Sequence, residues 1–427
     1  GHIVLEDLEG NIWFKSENGA HRLGSKGFQT FTVDDGLGSD NIAVILESMD
    51  GKFWFGHDNG VTLFDPAPPV IQNFTTRGAL SSNSVRFIYE DKQGFVWFSV
   101  RGGVARYDGE KLQYFSGKQM SDFHPRLPDI RFPPEKNLTV NILDGGKGSL
   151  WFVGGGRHQI FRYKDGTFQR LSIWPDRVRP INRYDSPPIF GLDNRIFTVD
   201  LKGNLWLAIG ESPIRCVRFA HQRLRLMDGE SFQLLTADGF QVVEPNSRTS
   251  IPDSRRGGRR GITDIHVDSQ GNIWFATSDA GVKRYDGATL KTFTTVDGLK
   301  SNNIRKIFED RRGNLWFAGE QALTKYNGES FQSFSVTNVT GPPVAIYQDT
   351  NDLISFIYPY AIAKYNPLPP FDKGDYDGEN FELLEGDKVL GGPLGDRMVV
   401  ASTTDSQGNL WLATSHGIIK YDGKQFT

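Results

Sequence analysis

The sequence predicts an all-β chain: a single closed β-propeller of about nine four-stranded antiparallel blades, with eight as the alternative count. Three observations point there. A tryptophan-centred segment recurs along the whole chain. The residues around it alternate with period two. Glycine and aspartate, rather than helix caps, punctuate the intervals.

The repeat is seen by aligning on tryptophan. EDLEGNIWF, ESMDGKFWF, EDKQGFVWF, LDGGKGSLWF, VDLKGNLWL, VDSQGNIWF, EDRRGNLWF and TDSQGNLWL share one pattern, centred on Trp13, Trp54, Trp97, Trp151, Trp206, Trp274, Trp316 and Trp411. A degenerate copy, QDTNDLISF, places Ser355 at the tryptophan position, with Asp349 and Tyr365 as its landmarks. The approximate blades are 1–33, 40–75, 83–116, 137–172, 194–236, 261–295, 302–335, 343–385 and 397–427 of one domain, 1–427. Successive marker positions lie 41, 43, 54, 55, 68, 42, 39 and 56 residues apart, so the long intervals hold insertions.

Within a blade, the third copy reads as SVRFIYED, FVWFSV, GVARYD and KLQYFS for strands one to four. The first turn carries Asp-x-x-Gly, where a carboxylate accepts backbone amides and glycine takes positive φ. The turn before the fourth strand carries Asp-Gly (Asp108-Gly109, Asp286-Gly287, Asp422-Gly423), a pair that favours tight hairpin turns. A lone four-stranded sheet cannot bury both faces, and radial stacking does so. The eight tryptophans are therefore expected to pack between blades.

The unit D-x-x-G-N-[LI]-W-F, then G-V-x-R-Y-D-G, then F-x-x-F, then D-G-L-x-S-N-x-[IV] resembles the two-component regulator propeller repeat. GITDIHVDSQGNIWFATSDAGVKRYDGATLKTFTTVDGLKSNNI is the fullest copy. The likeness is strong in blades two, three, six and seven and weak in four, five and eight. It implies the propeller fold. It also implies a place in the extracytoplasmic sensor regions of bacterial hybrid histidine kinases, many of which respond to polysaccharide breakdown products. A periplasmic or extracellular location follows from the resemblance alone. The sequence departs from that family in having no kinase, no transmembrane helix and no trailing sandwich domain, and in fitting nine units rather than seven.

Composition excludes little. A formal net charge of -3 gives no field for nucleic acid or an anionic membrane. No run of 18 apolar residues is present to span a bilayer, and the opening GHIVLEDLEGN does not read as a signal peptide. A single cysteine, Cys216, excludes an internal disulfide.

No standard catalytic motif is found, and Gly-rich LDGGKGSLWF is a first turn, not a phosphate cradle. The acidic pairs Glu90-Asp91 and Glu309-Asp310 recur once per blade, which fits turn capping better than metal binding or catalysis. No cofactor and no metal are expected. Candidate binding residues fall in the loop joining the second and third strands, which rings one face of a propeller. They are His57, Asp58, Arg101, Arg157, His158, Asp279, Glu320, Gln321, Tyr358 and His416, joined by Asn41, Asn83 and Asn303 from the inter-blade loops. Arginine-rich insertions (Arg177, Arg179, Arg183, Arg215, Arg218, Arg223 and Arg225, then Arg255, Arg256, Arg259 and Arg260) suit an anionic polysaccharide or an acidic protein, and read equally as solvated loops. FHPRLPDIRFPP and YPYAIAKYNPLPPF suit a sugar-stacking platform or a cover over blade edges.

The expected function is a non-enzymatic, monomeric ligand-sensing propeller that recognises a glycan or another polar small molecule. The alternatives are a protein-interaction scaffold and a propeller lyase or hydrolase using His57, His158 or His416 beside a carboxylate.

Overall fold

The computed structural model describes the chain except at 117–139, 173–196, 210–222, 228–231, 244–261, 367–380, 386–398, 423–427 and short stretches at 1, 17, 26, 77–79, 81, 101, 147, 155–158, 237–238, 337–338, 350–351 and 415–416. The protein is all-β, with one short 3-10 turn at Val33–Asp35 among the described residues. Its strands form separate antiparallel sheets, each built from strands consecutive in sequence. Repeats one to four and six to eight each give a four-stranded sheet.

The third repeat shows the expected strands: Val85–Glu90, Val96–Val100, Gly103–Tyr107 and Leu112–Ser116. Two repeats differ from the expectation. The fifth adds a fifth strand, Gly239–Val243, which pairs with Phe232–Thr236 and accounts for part of the longest interval. The ninth has three strands, and the residues expected to form its fourth, 423–427, lie outside the described residues.

The turn before the fourth strand also differs. Tyr107 pairs with Leu112 and Tyr285 with Leu290, so four residues form the loop rather than two. Asp108 caps it by accepting from the amides of Glu110 and Lys111, and only the glycine takes positive φ. A two-residue Asp-Gly turn is found at Asp165-Gly166 of the fourth repeat, where both residues have positive φ and Lys164 pairs with Thr167.

Trp13, Trp97, Trp274, Trp316 and Trp411 are each held in two ways. In six repeats the Asp of Asp-x-x-Gly accepts from the indole Nε1–H six residues later: Asp7–Trp13, Asp91–Trp97, Asp200–Trp206, Asp268–Trp274, Asp310–Trp316 and Asp405–Trp411, at 2.7 to 3.0 Å. The same carboxylate caps its own turn; Asp268 accepts from the amides of Gln270 and Asn272. In six repeats a third-strand cation lies over the indole face: Arg22, Arg106, Arg162, Arg284, Lys325 and Lys420. Where Ser355 replaces tryptophan, the facing Lys364 is buried and lies 3.9 Å over Tyr421 of the ninth repeat.

Two compact units are distinguished. One comprises Gly1–Phe14, Arg22–Phe28 and Ile262–Thr427, the other Lys15–His21 and Gln29–Gly261. In the second unit, Trp54 packs against Phe98 and Tyr107 of the next repeat, and Trp97 against Phe152 and Tyr163. In the first, Trp274 meets Phe317 and Tyr326, and Trp316 meets Phe356 and Tyr365. Trp411 of the last repeat clusters with Ile12 and Phe14 of the first. The tryptophans are thus core residues, as expected. Second strands such as Val96–Val100 and Ile273–Thr277 are buried throughout because both sheet faces are covered.

The paired acids divide their work. The second caps its own turn, as above. The first reaches the turn of the preceding repeat. Glu90 accepts from the Met49 amide at 2.6 Å, and Glu309 from the amide and hydroxyl of Ser269. Glu6 makes this clip to the amide and hydroxyl of Ser406, joining the first and last sheets.

Candidate functional site

The second strand ends three residues after the tryptophan at Ser16, His57, Thr277 and Thr414, and the aligned residue of the eighth repeat, Tyr358, lies just past strand Ile354–Ile357. In several repeats this residue caps the turn that follows. Ser16 Oγ accepts from the Asn18 amide, and Thr277 Oγ1 accepts from Ala280 and donates to the Gly281 carbonyl. Thr414 Oγ1 likewise donates to the Gly417 carbonyl.

His57 is one of these caps, which corrects its expected place in an exposed loop. It closes strand Phe53–His57 and is 1% exposed. Its Nδ1 accepts from the Asn59 amide, so Nε2 carries the proton and donates to Thr62 Oγ1 at 3.0 Å. Thr62 in turn donates to Asn73. Burial pushes the His57 pKa down to about 4, against a small opposing pull from Asp58. Gly38 leaves room for the ring, since a Cβ there would lie 2.6 Å from His57 Cε1. His57 is therefore a neutral, internally bonded histidine.

Tyr358 holds the same repeat position and is also buried rather than displayed. It packs among Trp316, Val336, Val339 and Phe356, and its hydroxyl has no partner among the described residues. Burial raises its pKa.

The other described candidates are exposed: Asp58, Asp279, Glu320 and Gln321. In the second unit, Asp58 is pinned from the preceding inter-repeat loop. Ser39 Oγ donates to it at 2.6 Å and Asn41 Nδ2 at 3.2 Å, and the Ser39 bond above all lowers the Asp58 pKa. Asn59 links the loops on either side, donating to the Gly38 carbonyl and accepting from Asn83. Asn83 also caps Thr76. The result is a rigid polar surface of serine, asparagine and one carboxylate. In the first unit, Asp279, Glu320 and Gln321 occupy the equivalent loops of the sixth and seventh repeats, and the Gln321 carbonyl accepts from Val336. Asn303, in the loop before the seventh repeat's first strand, leaves Oδ1 buried without a partner among the described residues. Arg101, Arg157, His158 and His416 lie outside the described residues, as do FHPRLPDIRFPP and the arginine-rich insertions apart from Arg223 and Arg225, which belong to strand Arg223–Met227 rather than to a loop.

A position that the sequence reading missed lies in the first strand, eleven residues before the tryptophan. Register shifts between Ile42 and Val44 and between Ile262 and Asp264 leave one extra residue, Ala43 or Thr263, outside the ladder. Arg86 is the extra residue in the third repeat. Such bulges redirect a side chain away from the sheet face. The signal was present: Ile42 and Ile45, Ile262 and Ile265, and Ile304 and Ile307 are spaced by three, which breaks a period of two.

Three segments, residues 79–102, 259–279 and 298–321, match the family model of the two component regulator propeller. These three segments carry the two-component regulator propeller repeat. No curated protein matches it significantly. Among solved structures, it is similar to the extracellular domain of a putative hybrid two component system from B. thetaiotaomicron, at 17% identity and a TM-score of 0.32, over 99% of this chain and 68% of that one. It is also similar to the extracellular domain of a putative one component system from the same organism, at 14% and 0.30, over 99% of this chain and 64% of the other. The chain thus spans about two thirds of those domains. A virginiamycin B lyase from Staphylococcus aureus is similar at 14% identity and a TM-score of 0.38, over 78% of this chain and 92% of that one. Among the described residues no group of three or more histidines, cysteines or acids is placed to hold a metal. Among the same residues, no helix is long and apolar enough to cross a membrane.

Proposed function

We propose that residues 1–427 form one closed nine-bladed propeller that serves as a non-enzymatic sensing module outside the cytoplasm, binding a glycan or another polar ligand on its loop face. The match of three segments to the two-component regulator propeller carries this reading. Two contacts support closure. Trp411 meets Phe14 as Trp316 meets Phe356, and the Glu6–Ser406 clip repeats the Glu309–Ser269 clip. Each unit offers exposed polar loop residues to such a ligand, Asp279, Glu320 and Gln321 in the first and Asp58 in the second, to which Arg101, Arg157, His158 and His416 are added as candidates from the sequence. His57 serves as a buried cap and Tyr358 as a packing group in their own units.

A thermal-shift screen of neutral, sulfated and uronic oligosaccharides tests it, because a ligand that binds the folded state raises the melting temperature. One glycan class should stabilise the protein, and Glu320→Ala with Gln321→Ala should remove the shift without lowering the ligand-free melting temperature. No shift with any glycan, together with capture of a protein partner through the same face, would replace sensing by scaffolding.

A further inference from the structure

The innermost-strand bulge has a use beyond the loop face. Where its residue is short, the side chain or backbone ties one repeat to the next. The Ala43 carbonyl accepts from Lys15 Nζ, and Thr263 Oγ1 donates to the Ile304 carbonyl. In the third repeat the bulge residue is arginine instead, Arg86, and in the seventh the aligned residue, just ahead of strand Lys306–Glu309, is Arg305. Arg86 is exposed.

Arg305 is half-buried. Ile304 gives its amide to the Thr277 carbonyl of the sixth repeat, while Arg305 gives its own to Ala318 of the seventh, so the chain changes partners at this residue. Lys306, beside it, places its ammonium on the Val344 carbonyl of the eighth repeat.

Arg305 Nε is buried and has no acceptor among the described residues. Four other arginines share that property, namely Arg22, Arg106, Arg162 and Arg284. All four are accounted for, because their guanidinium groups lie over tryptophan rings. Arg305 lies over no described ring and forms no described ion pair. The neighbouring carboxylate, Asp264, is committed elsewhere, accepting from the amides of Ile307 and Ile265. A buried guanidinium N–H without an acceptor is costly unless something supplies one. A guanidinium fork matches a carboxylate, sulfate or phosphate.

We infer that Arg305, half-buried just ahead of the seventh repeat's first strand with its Nε lacking an acceptor among the described residues, anchors a subsite for the oxyanion of a small ligand. Its main chain is fixed, since Ile304 and Arg305 give their amides to the Thr277 and Ala318 carbonyls. Arg86 aligns with it in the third repeat but is exposed.

The test is isothermal titration of the full chain with sodium sulfate, sodium phosphate and sodium glucuronate at constant ionic strength, with glucose as the neutral control. At least one oxyanion should bind saturably and glucose should not. Arg305→Gln should weaken that binding about tenfold or more while melting like the parent. Arg305→Lys, which keeps charge but loses the fork, should weaken it less. Arg312→Gln, which removes an exposed arginine paired with Asp352, should leave it unchanged. Equal affinity in Arg305→Gln, equal loss in Arg312→Gln, or no binding of any oxyanion by the parent would overturn the subsite. Oxyanion binding at Arg305 without any response to glycans would keep this inference and sink the loop-face reading, so the two fail separately.

Discussion

Replacing Asp268 by alanine isolates the lock that holds the repeat together. The carboxylate is buried and accepts four bonds: from the amides of Gln270 and Asn272, from Asn272 Nδ2, and from Trp274 Nε1 at 2.8 Å. The asparagine amide can turn outward to water. The indole N–H cannot, because the ring is enclosed by the next repeat, and a stranded buried donor costs about 1–3 kcal/mol. The two turn amides add about 1 kcal/mol each at the net value of an ordinary hydrogen bond. The expected loss is therefore about 3–5 kcal/mol, read from the urea midpoint. Exchange of the Gln270 and Asn272 amides, followed alongside, tells local loosening from global loss. Ser48→Ala, at the equivalent position where a hydroxyl bonds only Asp50 and Lys52, should cost about 1 kcal/mol. A loss in Asp268→Ala as small as that of Ser48→Ala would refute the lock.

The other predictions concern clips and pH. Glu6→Ala should speed exchange of the Ser406 amide, and Glu309→Ala that of Ser269, each at about 1 kcal/mol; unchanged exchange at Ser406 alone would argue against the first and last sheets meeting. His57 has a folded pKa near 4, below its unfolded value, so the unfolded chain takes the proton first. Its contribution, about 2–3 kcal/mol, is complete at neutral pH and is lost as pH falls from about 6.5 to about 4. His57→Thr, which installs the cap found at Thr277 and Thr414, should flatten the stability profile across that window, and an unchanged slope would contradict the buried neutral ring. Asp286 is held at about 2 by the amides of Thr289 and Ala288, so its contribution should fade as pH falls from about 4 towards 2. Asp286→Asn should lessen that acid slope in a chemical-denaturation series.

The repeat was legible because its packing residue is rare and its turn residues have unambiguous backbone roles. Even Ser355, which lacks the indole, was located by Asp349 and Tyr365, and it does pair with Tyr347 and Lys364 where a tryptophan would. The second layer of the lock was less so. The constant interval of six from Asp268 to Trp274 or Asp310 to Trp316 was visible, but only a sheet that folds the turn back over the indole turns it into a bond. The facing cations Arg106 and Arg284 looked like solvent-side charges, because strand alternation says which face a residue takes but not what lies across the ladder. The first acids, such as Glu309, contact residues about forty positions away, which local turn chemistry does not reach.

The candidate site was read less well. His57 was placed one residue too far along, and the hydroxyls at Ser16, Thr277 and Thr414 carried the hint that its position caps a turn. Arg305 was passed over because it falls just ahead of a regular strand, where neither turn chemistry nor alternation marks it.

The Glu6–Ser406 clip bears on the order in which the molecule assembles. Chemically it equals the Glu309–Ser269 clip, yet it links residues 400 apart in sequence instead of 40. Closing a loop ten times longer costs about 2 kcal/mol more chain entropy, from the logarithmic dependence on length. The junction of first and last sheets is thus a weak joint made of ordinary parts, expected to form last and to open first. Until it forms, the first sheet keeps one apolar flank, with Ile12 and Phe14, uncovered.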